Sequence, residues 1–375
     1  MRILLLALDV DLNERQGDSV HLRELVDNLR LQGHKLRIVT GTAGSSGIED
    51  HTVRKPFSIG QILQATHLGR DWAEVVYERR MSPKISWAVS LLTGVPFVVE
   101  VNGSLDDELR ALGRKRGRIR SAIARRIRRQ MFSRAARVIA VSSGIRDGLV
   151  SMYGLHRDRV AVVPNGANTS RFHPKDRDSS RIAFRLERND FIVCFVGSLV
   201  AWQGIPTLIA AAERLRTRIP RLRIVMVGGG PDSDALKAQV WQSSMRNICI
   251  FAGEVPYESV PTIIAASDVC VAPFVRTRKA SPIKVFEYLA CGKPVVSSDI
   301  DDLGDFLKRS HAGVVIEPGN AEALANGIEW VYNHPEEALE LARRGRLAVE
   351  QTRSWEETAK KVSAILESIR IASLS

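Results

Sequence analysis

Lys284 and Glu287 stand three positions apart in the stretch SPIKVFEYLACGKPVVSS, which runs from Ser281 to Ser298. Ser281 suits an N-cap and Pro282 the first helical position, so a helix is expected to begin here. A helix start carries unsatisfied N–H groups and about half a positive charge, here at Ile283 and Lys284, and this suits a phosphate. The Lys284 ammonium adds a full charge. Glu287 lies about one turn beyond Ile283 on the same face, and helical side chains tilt back toward the N-terminus. Its carboxylate could accept hydrogen bonds from the ribose hydroxyls of a nucleotide whose diphosphate sits on the helix end. The alternative is an ordinary helix in which Lys284 and Glu287 form an exposed i,i+3 ion pair worth a few tenths of a kcal/mol.

The elements that must position these residues follow from periodicity. Val285, Phe286, Leu289 and Ala290 repeat at helical spacing, Gly292 and Pro294 end the helix, and Pro294 to Ser297 reads as a buried strand. At the other end of the chain, Met1 to Leu8 reads as a buried strand, Val20 to Arg30 as an amphipathic helix and Lys35 to Thr40 as a returning strand. Loops at the carboxyl ends of parallel strands bind ligands, which makes Gly17, Asp18 and Ser19 candidates; plain turn chemistry is the other reading. Strands and helices alternate as far as Val160 to Val163, and a second alternating series starts at Phe191. The expected fold is therefore α/β, with two doubly wound parallel sheets. Residues 1–165 form the first domain, the polar stretch 166–190 a linker, and residues 191–354 the second domain. The last helix, 355–372, is expected to return to the first domain.

Composition narrows the function. The chain has 375 residues, 45% hydrophobic and 26% charged, as in soluble globular proteins. Asp9 and Asp11 interrupt the first apolar run too early for a signal peptide, and no run approaches a membrane span, so a cytoplasmic location is the expectation. Cys194, Cys249, Cys270 and Cys291 fall singly in apolar elements and read as buried thiols. The net charge is +12 (54 Lys and Arg against 42 Asp and Glu), and the twelve Lys or Arg between Arg110 and Arg137, with no acidic residue among them, match the whole excess. Within that segment Ile119, Ile123, Ile127 and Met131 recur every fourth residue. This is either an amphipathic helix drawn to anionic lipid or a core-facing stripe with a solvated Arg face. Without aromatic stacking residues it is poor evidence for nucleic-acid binding, and no nucleic-acid partner is expected. The GGG at Gly228 to Gly230 follows a strand, but Ser233 breaks the GxGxxG pattern, which speaks against a nicotinamide enzyme. The pairs Asp9 with Asp11 and Asp299 with Asp301 have a D-x-D spacing that suits a metal, although strand-end loops collect aspartates in any case.

Taken with the two domains, SPIKVFEYLACGKPVVSS resembles the donor-site segment of glycosyltransferase family 4, also described as glycosyl transferases group 1, retaining enzymes of the GT-B class. GDSVHLRELVDNLRLQGHKLRIVT, VIAVSSGIRDGLVSMYGLHRDRVAVVPNGANTSRFHP, FVGSLVAWQGIPTLIAAAERL, IVMVGGGP and FAGEVPYESVPTIIAASDVCVAPF resemble further family segments in the same order. The resemblance implies two Rossmann-like domains facing each other across a cleft. It implies that Glu287 binds the donor ribose, that Ser281, Pro282, Ile283 and Lys284 surround the diphosphate, and that the backbone near Val255 meets the base. Gly17 would let the first loop approach the donor, and Gly197, Ser198 and Gln203 would form the first loop of the second domain. No metal or cofactor is implied beyond the substrate, a UDP-sugar or GDP-sugar.

The chain departs from the family pattern at several of these positions. Lys279 stands where the family commonly has the first of two glutamates, Ser198 and Gln203 where it often has Arg and Lys, and Asn102 where it has a histidine. Lys284, Lys279, Arg276 and Arg278 are the cations available in their place. Asn102, Lys279 and Lys284 are thus the candidates for the catalytic groups, in a variant subgroup with its cations relocated. The expected activity is transfer of a sugar, a hexose foremost, to a hydroxyl of a lipid-linked or envelope glycan at the cytoplasmic membrane face, as in polysaccharide biosynthesis. The other readings are a non-catalytic nucleotide-sugar binder, an epimerase and a basic nucleic-acid-binding protein.

Overall fold

The structure is a computed structural model that describes all residues except 9, 11–16, 41–58, 104–117, 276–280 and 375. Among the described residues, β1 (Arg2–Ala7), β2 (Lys35–Thr40), β3 (Val75–Arg79), β4 (Phe97–Val101), β5 (Arg137–Ala140) and β6 (Val160–Val162) form one sheet in the order β2-β1-β3-β4-β5-β6. A second sheet contains β7 (Phe191–Val196), β8 (Leu222–Val227), β9 (Cys249–Gly253), β10 (Val269–Ala272), β11 (Val295–Ser298) and β12 (Val314–Ile316), in the order β12-β11-β10-β7-β8-β9. Both sheets are parallel throughout. The strands are apolar on both faces because helices cover both sides. In β1, Leu4 and Leu6 enter one core while Ile3, Leu5 and Ala7 enter the opposite one. In β7, Val193 and Phe195 part from Ile192 and Cys194 in the same way.

In each sheet the strand order reverses once, between β1 and β3 in the first and between β7 and β10 in the second. Loops leaving the carboxyl ends of strands on either side of such a reversal open a crevice where ligands of α/β proteins bind. The helix Ile283–Ala290 starts eleven residues after Ala272, the last residue of β10, so its N-terminus belongs to the second of these edges.

The chain divides into two compact units. Unit 1 contains Met1–Asn165, Ser281 and the C-terminal helix Trp355–Leu374; unit 2 contains the rest of the stretch from Gly166 to Ser354. The last helix lays Ala359, Val362, Leu366 and Ile369 on the same core as Leu22, Leu25 and Val26 of the helix Gly17–Leu31. Residues 166–190, polar in sequence, are folded into unit 2. Asp176 caps a short helix, Arg177–Ala183, by accepting from Ser179 N at 2.8 Å, and Phe172 is fully buried. The Arg181 guanidinium is buried too, where it donates to Asp268 Oδ2 at 2.7 Å, to Ala266 O at 2.9 Å and to Asp190 O at 3.0 Å. All four cysteines are buried free thiols.

Candidate functional site

The helix Ile283–Ala290 differs at its start from the sequence expectation. It begins at Ile283, and neither Ser281 nor Pro282 plays the expected part. The Ser281 hydroxyl is engaged elsewhere, accepting from Asn165 N at 3.0 Å. Pro282 is extended (φ −74°, ψ 111°) and occupies the cap position, with no side chain capping the helix. The amides of Ile283 and Lys284 therefore begin the helix without a side-chain cap, as an anion site needs. The other end is as expected: Gly292 turns left-handed (φ 66°), and its N–H donates to Leu289 O at 2.8 Å.

The exposed Lys284–Glu287 ion pair is also overturned. Glu287 is only 6% exposed and accepts a hydrogen bond from the Tyr257 hydroxyl at 2.7 Å. Lys284 turns toward β7: its Nζ donates to Gln203 Oε1 at 2.8 Å and lies 4.0 Å from the centroid of the Phe195 ring. A Cβ on Gly197 would fall 2.3 Å from that nitrogen, so a glycine (φ 142°) is what lets the amine lie over the end of β7. Desolvation in this setting pushes the Lys284 pKa down to about 7, with the Glu287 charge opposing. Gln203 stands where a cation was expected from the resemblance, and here it holds the cation that arrives from the helix. Gly228 closes the same corner, since a Cβ there would lie 2.2 Å from Gly197 O. This tight loop contact accounts for Gly228 without any dinucleotide fingerprint.

Among the other expected donor residues, Ser198 is exposed just after Gly197, and Val255 is partly buried between β9 and the turn Tyr257–Ser259. The strand ends of unit 2 thus bring together Gly197, Ser198, Gln203, Val255, Lys284 and Glu287 along one edge. Arg276, Arg278 and Lys279 lie outside the described residues. Asp299, of one D-x-D pair, is paired with Lys308 at 2.5 Å; Asp9 and Asp11 of the other lie outside the described residues.

In unit 1, Asn102 follows β4, and both of its side-chain amide atoms are buried with no hydrogen-bond partner among the described residues. Next to it lies a network that the sequence reading missed. The buried Glu100 carboxylate accepts from the Tyr77 hydroxyl and pairs with His21 Nε2 at 2.9 Å. Arg79 lies 3.7 Å from it and also pairs with Asp18 at 2.6 Å. Burial pushes the Glu100 pKa up, but His21, Arg79 and Tyr77 outweigh it and hold it at about 2. The available signal was a glutamate inside the apolar run FVVEV. Gly17 heads the first helix, and among the described residues nothing lies within 4 Å of a Cβ built on it. Tyr257 was missed as well, and a lone tyrosine in a turn gives no signal of its role.

Comparison with known proteins decides the family. The model for Glycosyltransferase Family 4 matches residues 16–171, and that for Glycosyl transferases group 1 matches residues 176–348. This chain is a member of glycosyltransferase family 4. It is an enzyme that transfers a sugar. It is 27% identical over 304 residues to the D-inositol 3-phosphate glycosyltransferase of Rhodococcus erythropolis, covering 79% of this chain and 67% of the relative. It is 28% identical over 261 residues to the alpha-maltose-1-phosphate synthase of Mycolicibacterium smegmatis, covering 65% of this chain and 66% of that one. The chain thus spans about two thirds of the length of these relatives. Among solved structures, Anabaena HepE in complex with UDP superposes with a TM-score of 0.82 at 19% identity, over 98% of this chain and 100% of that one. A glycosyltransferase from Rickettsia africae gives 0.82 at 17%, over 98% of both chains. The fold of this family-4 enzyme is accordingly GT-B, with two Rossmann-like domains.

Proposed function

We infer that this glycosyltransferase takes its sugar from a nucleotide-sugar donor and transfers it with retention of anomeric configuration to a hydroxyl of a glycan or glycolipid. The reading rests on one observation: a buried carboxylate and a loop-directed amine, Glu287 and Lys284, one turn apart at an uncapped helix start. HepE has been solved with UDP and with UDP-glucose, which supports a nucleotide-sugar donor, a UDP-sugar or GDP-sugar. The ribose hydroxyls donate to Glu287, the amides of Ile283 and Lys284 and the Lys284 ammonium take the diphosphate, and the backbone near Val255 meets the base. The bond from the anomeric carbon to the diphosphate oxygen breaks while the acceptor hydroxyl oxygen forms its bond on the same face. The acceptor proton passes to the departing phosphate, and side-chain cations together with backbone N–H groups, without a metal, carry the charge stabilisation. Asn102 has no titratable proton, so its part is to orient an acceptor hydroxyl through its two buried amide atoms rather than to act as a base.

The test is thermal unfolding with UDP, GDP, ADP and their common sugars, on wild type and Glu287→Ala. A ligand at about 100 times its Kd adds roughly 2.7 kcal/mol. Selective stabilisation by one base, lost in the variant, is the expected outcome. No shift with any nucleotide would sink the donor-site assignment.

The acceptor is further read as lipid-linked or part of the cell envelope, met at the inner membrane face. The specific support is the helix Arg118–Arg134, where Ile123 and Ile127 are 54% and 44% exposed alongside Arg125, Arg126 and Arg129, and among its described side chains only Met131 and Phe132 turn into the core. The stripe is therefore not wholly core-facing. No helix among the described residues is long and apolar enough to cross a membrane. Attraction to an anionic surface contributes about 1 kcal/mol per basic residue near it. Wild type should float with phosphatidylglycerol vesicles and not with phosphatidylcholine, and Ile123→Asp with Ile127→Asp should release it. Equal recovery on both vesicle types would refute the membrane reading.

A further inference from the structure

Resting on the donor-site reading above, we propose that Tyr257 is a positioning residue that orients the Glu287 carboxylate for the ribose. Its hydroxyl donates to Glu287 Oε1 at 2.7 Å, and Tyr257 lies two residues beyond Val255, in the turn that follows β9. The ring itself is held from the stretch that the sequence suggested was a linker. The fully buried Phe172 packs against it with centroids 5.5 Å apart, and the Arg171 guanidinium lies 5.0 Å above it. Three elements of unit 2 thus converge: residues 171–172, the turn after β9, and the helix Ile283–Ala290 with the carboxylate it carries.

A glutamate side chain has a broad terminal torsion, so a carboxylate on a helix does not by itself present a fixed edge. The Tyr257 hydroxyl occupies one of its roughly four acceptor positions and thereby sets the plane of the group. A ribose offers two neighbouring hydroxyls, and a carboxylate of fixed plane can accept from both at once. The base and the ribose are then read by adjacent parts of one turn, through the backbone at Val255 and through Tyr257 acting on Glu287.

The experiment compares affinities for UDP and GDP with those for their 2′,3′-dideoxy forms, by calorimetry, in wild type, Tyr257→Phe, Glu287→Ala and the double variant. Phenylalanine keeps the ring between Phe172 and Arg171 and removes only the hydroxyl. Wild type should prefer the ribonucleotide by at least tenfold. Tyr257→Phe should lower that preference about fivefold while leaving the dideoxy affinity unchanged, Glu287→Ala should abolish it, and the double variant should match Glu287→Ala alone. If Tyr257→Phe keeps the full preference while Glu287→Ala loses it, or weakens both forms equally, the positioning role is refuted and the donor site stands. If wild type shows no ribose preference, or Glu287→Ala leaves it unchanged, the donor-site reading itself falls, and this proposal falls with it.

Discussion

Lys284→Met is expected to lower hydrolysis of the nucleotide sugar by about 10²–10³-fold, the usual loss when one preorganised stabiliser of a departing charge is removed. Methionine fills the same volume beside Phe195 and Gly197, so the loss should come without a matching loss of stability. The pH dependence gives a second, independent signature. With its pKa near 7, Lys284 is mostly an ammonium below pH 7 and mostly a neutral amine above it. A diphosphate binds the ammonium, so binding takes up a proton at neutral pH. Donor affinity should fall as pH rises from 7 to 9, approaching tenfold per unit, until the pH passes the raised pKa of the complex. In Lys284→Met the same titration should be flat. Calorimetric Kd values at four pH points would decide it, and a variant within threefold of wild type in hydrolysis would place the stabilising cation elsewhere.

Arg181→Met is expected to cost about 3–5 kcal/mol in the transition that unfolds unit 2, because it breaks a buried ion pair and leaves buried carbonyls without their donor. Asp268 would keep Ile192 N, at 2.7 Å, and Arg177, but the carbonyls of Ala266 and Asp190 would lose a buried donor. Arg218→Ala, which breaks the solvent-facing pair with Glu329, serves as the control and should cost under about 1 kcal/mol. Urea unfolding followed by circular dichroism gives both numbers. Equal small losses would mean that the buried Arg181 guanidinium contributes no more than a solvent-facing pair.

The two sheets were legible because buried parallel strands are short apolar runs, and Lys35–Thr40 has the limits read from sequence. The helix Arg177–Ala183 was not legible. It is short and polar, and what holds it is a guanidinium reaching Asp268, eighty-seven residues away, which no local pattern encodes. The site shows the same division. Glu287 and Lys284 could be found because helical spacing relates them, whereas the direction of Lys284 depends on Gln203 and on the missing side chain of Gly197, both on a distant loop. The N-cap at Ser281 failed for a comparable reason, since Asn165 competes for its hydroxyl.

The helix Trp355–Leu374 has a consequence for biosynthesis. It covers one face of the first sheet, and the residues it covers include Ile3 and Leu5, at the very start of the chain. During translation the helix Gly17–Leu31 can cover part of that face early, but the part under Trp355–Leu374 stays open until about 350 further residues have been made, whereas residues 166–354, which supply nearly all of unit 2, are available sooner. The half of the enzyme synthesised first is therefore the last to be completed. The part of its apolar face that the helix Gly17–Leu31 leaves open must stay covered by some other means while the ribosome reaches Ile369.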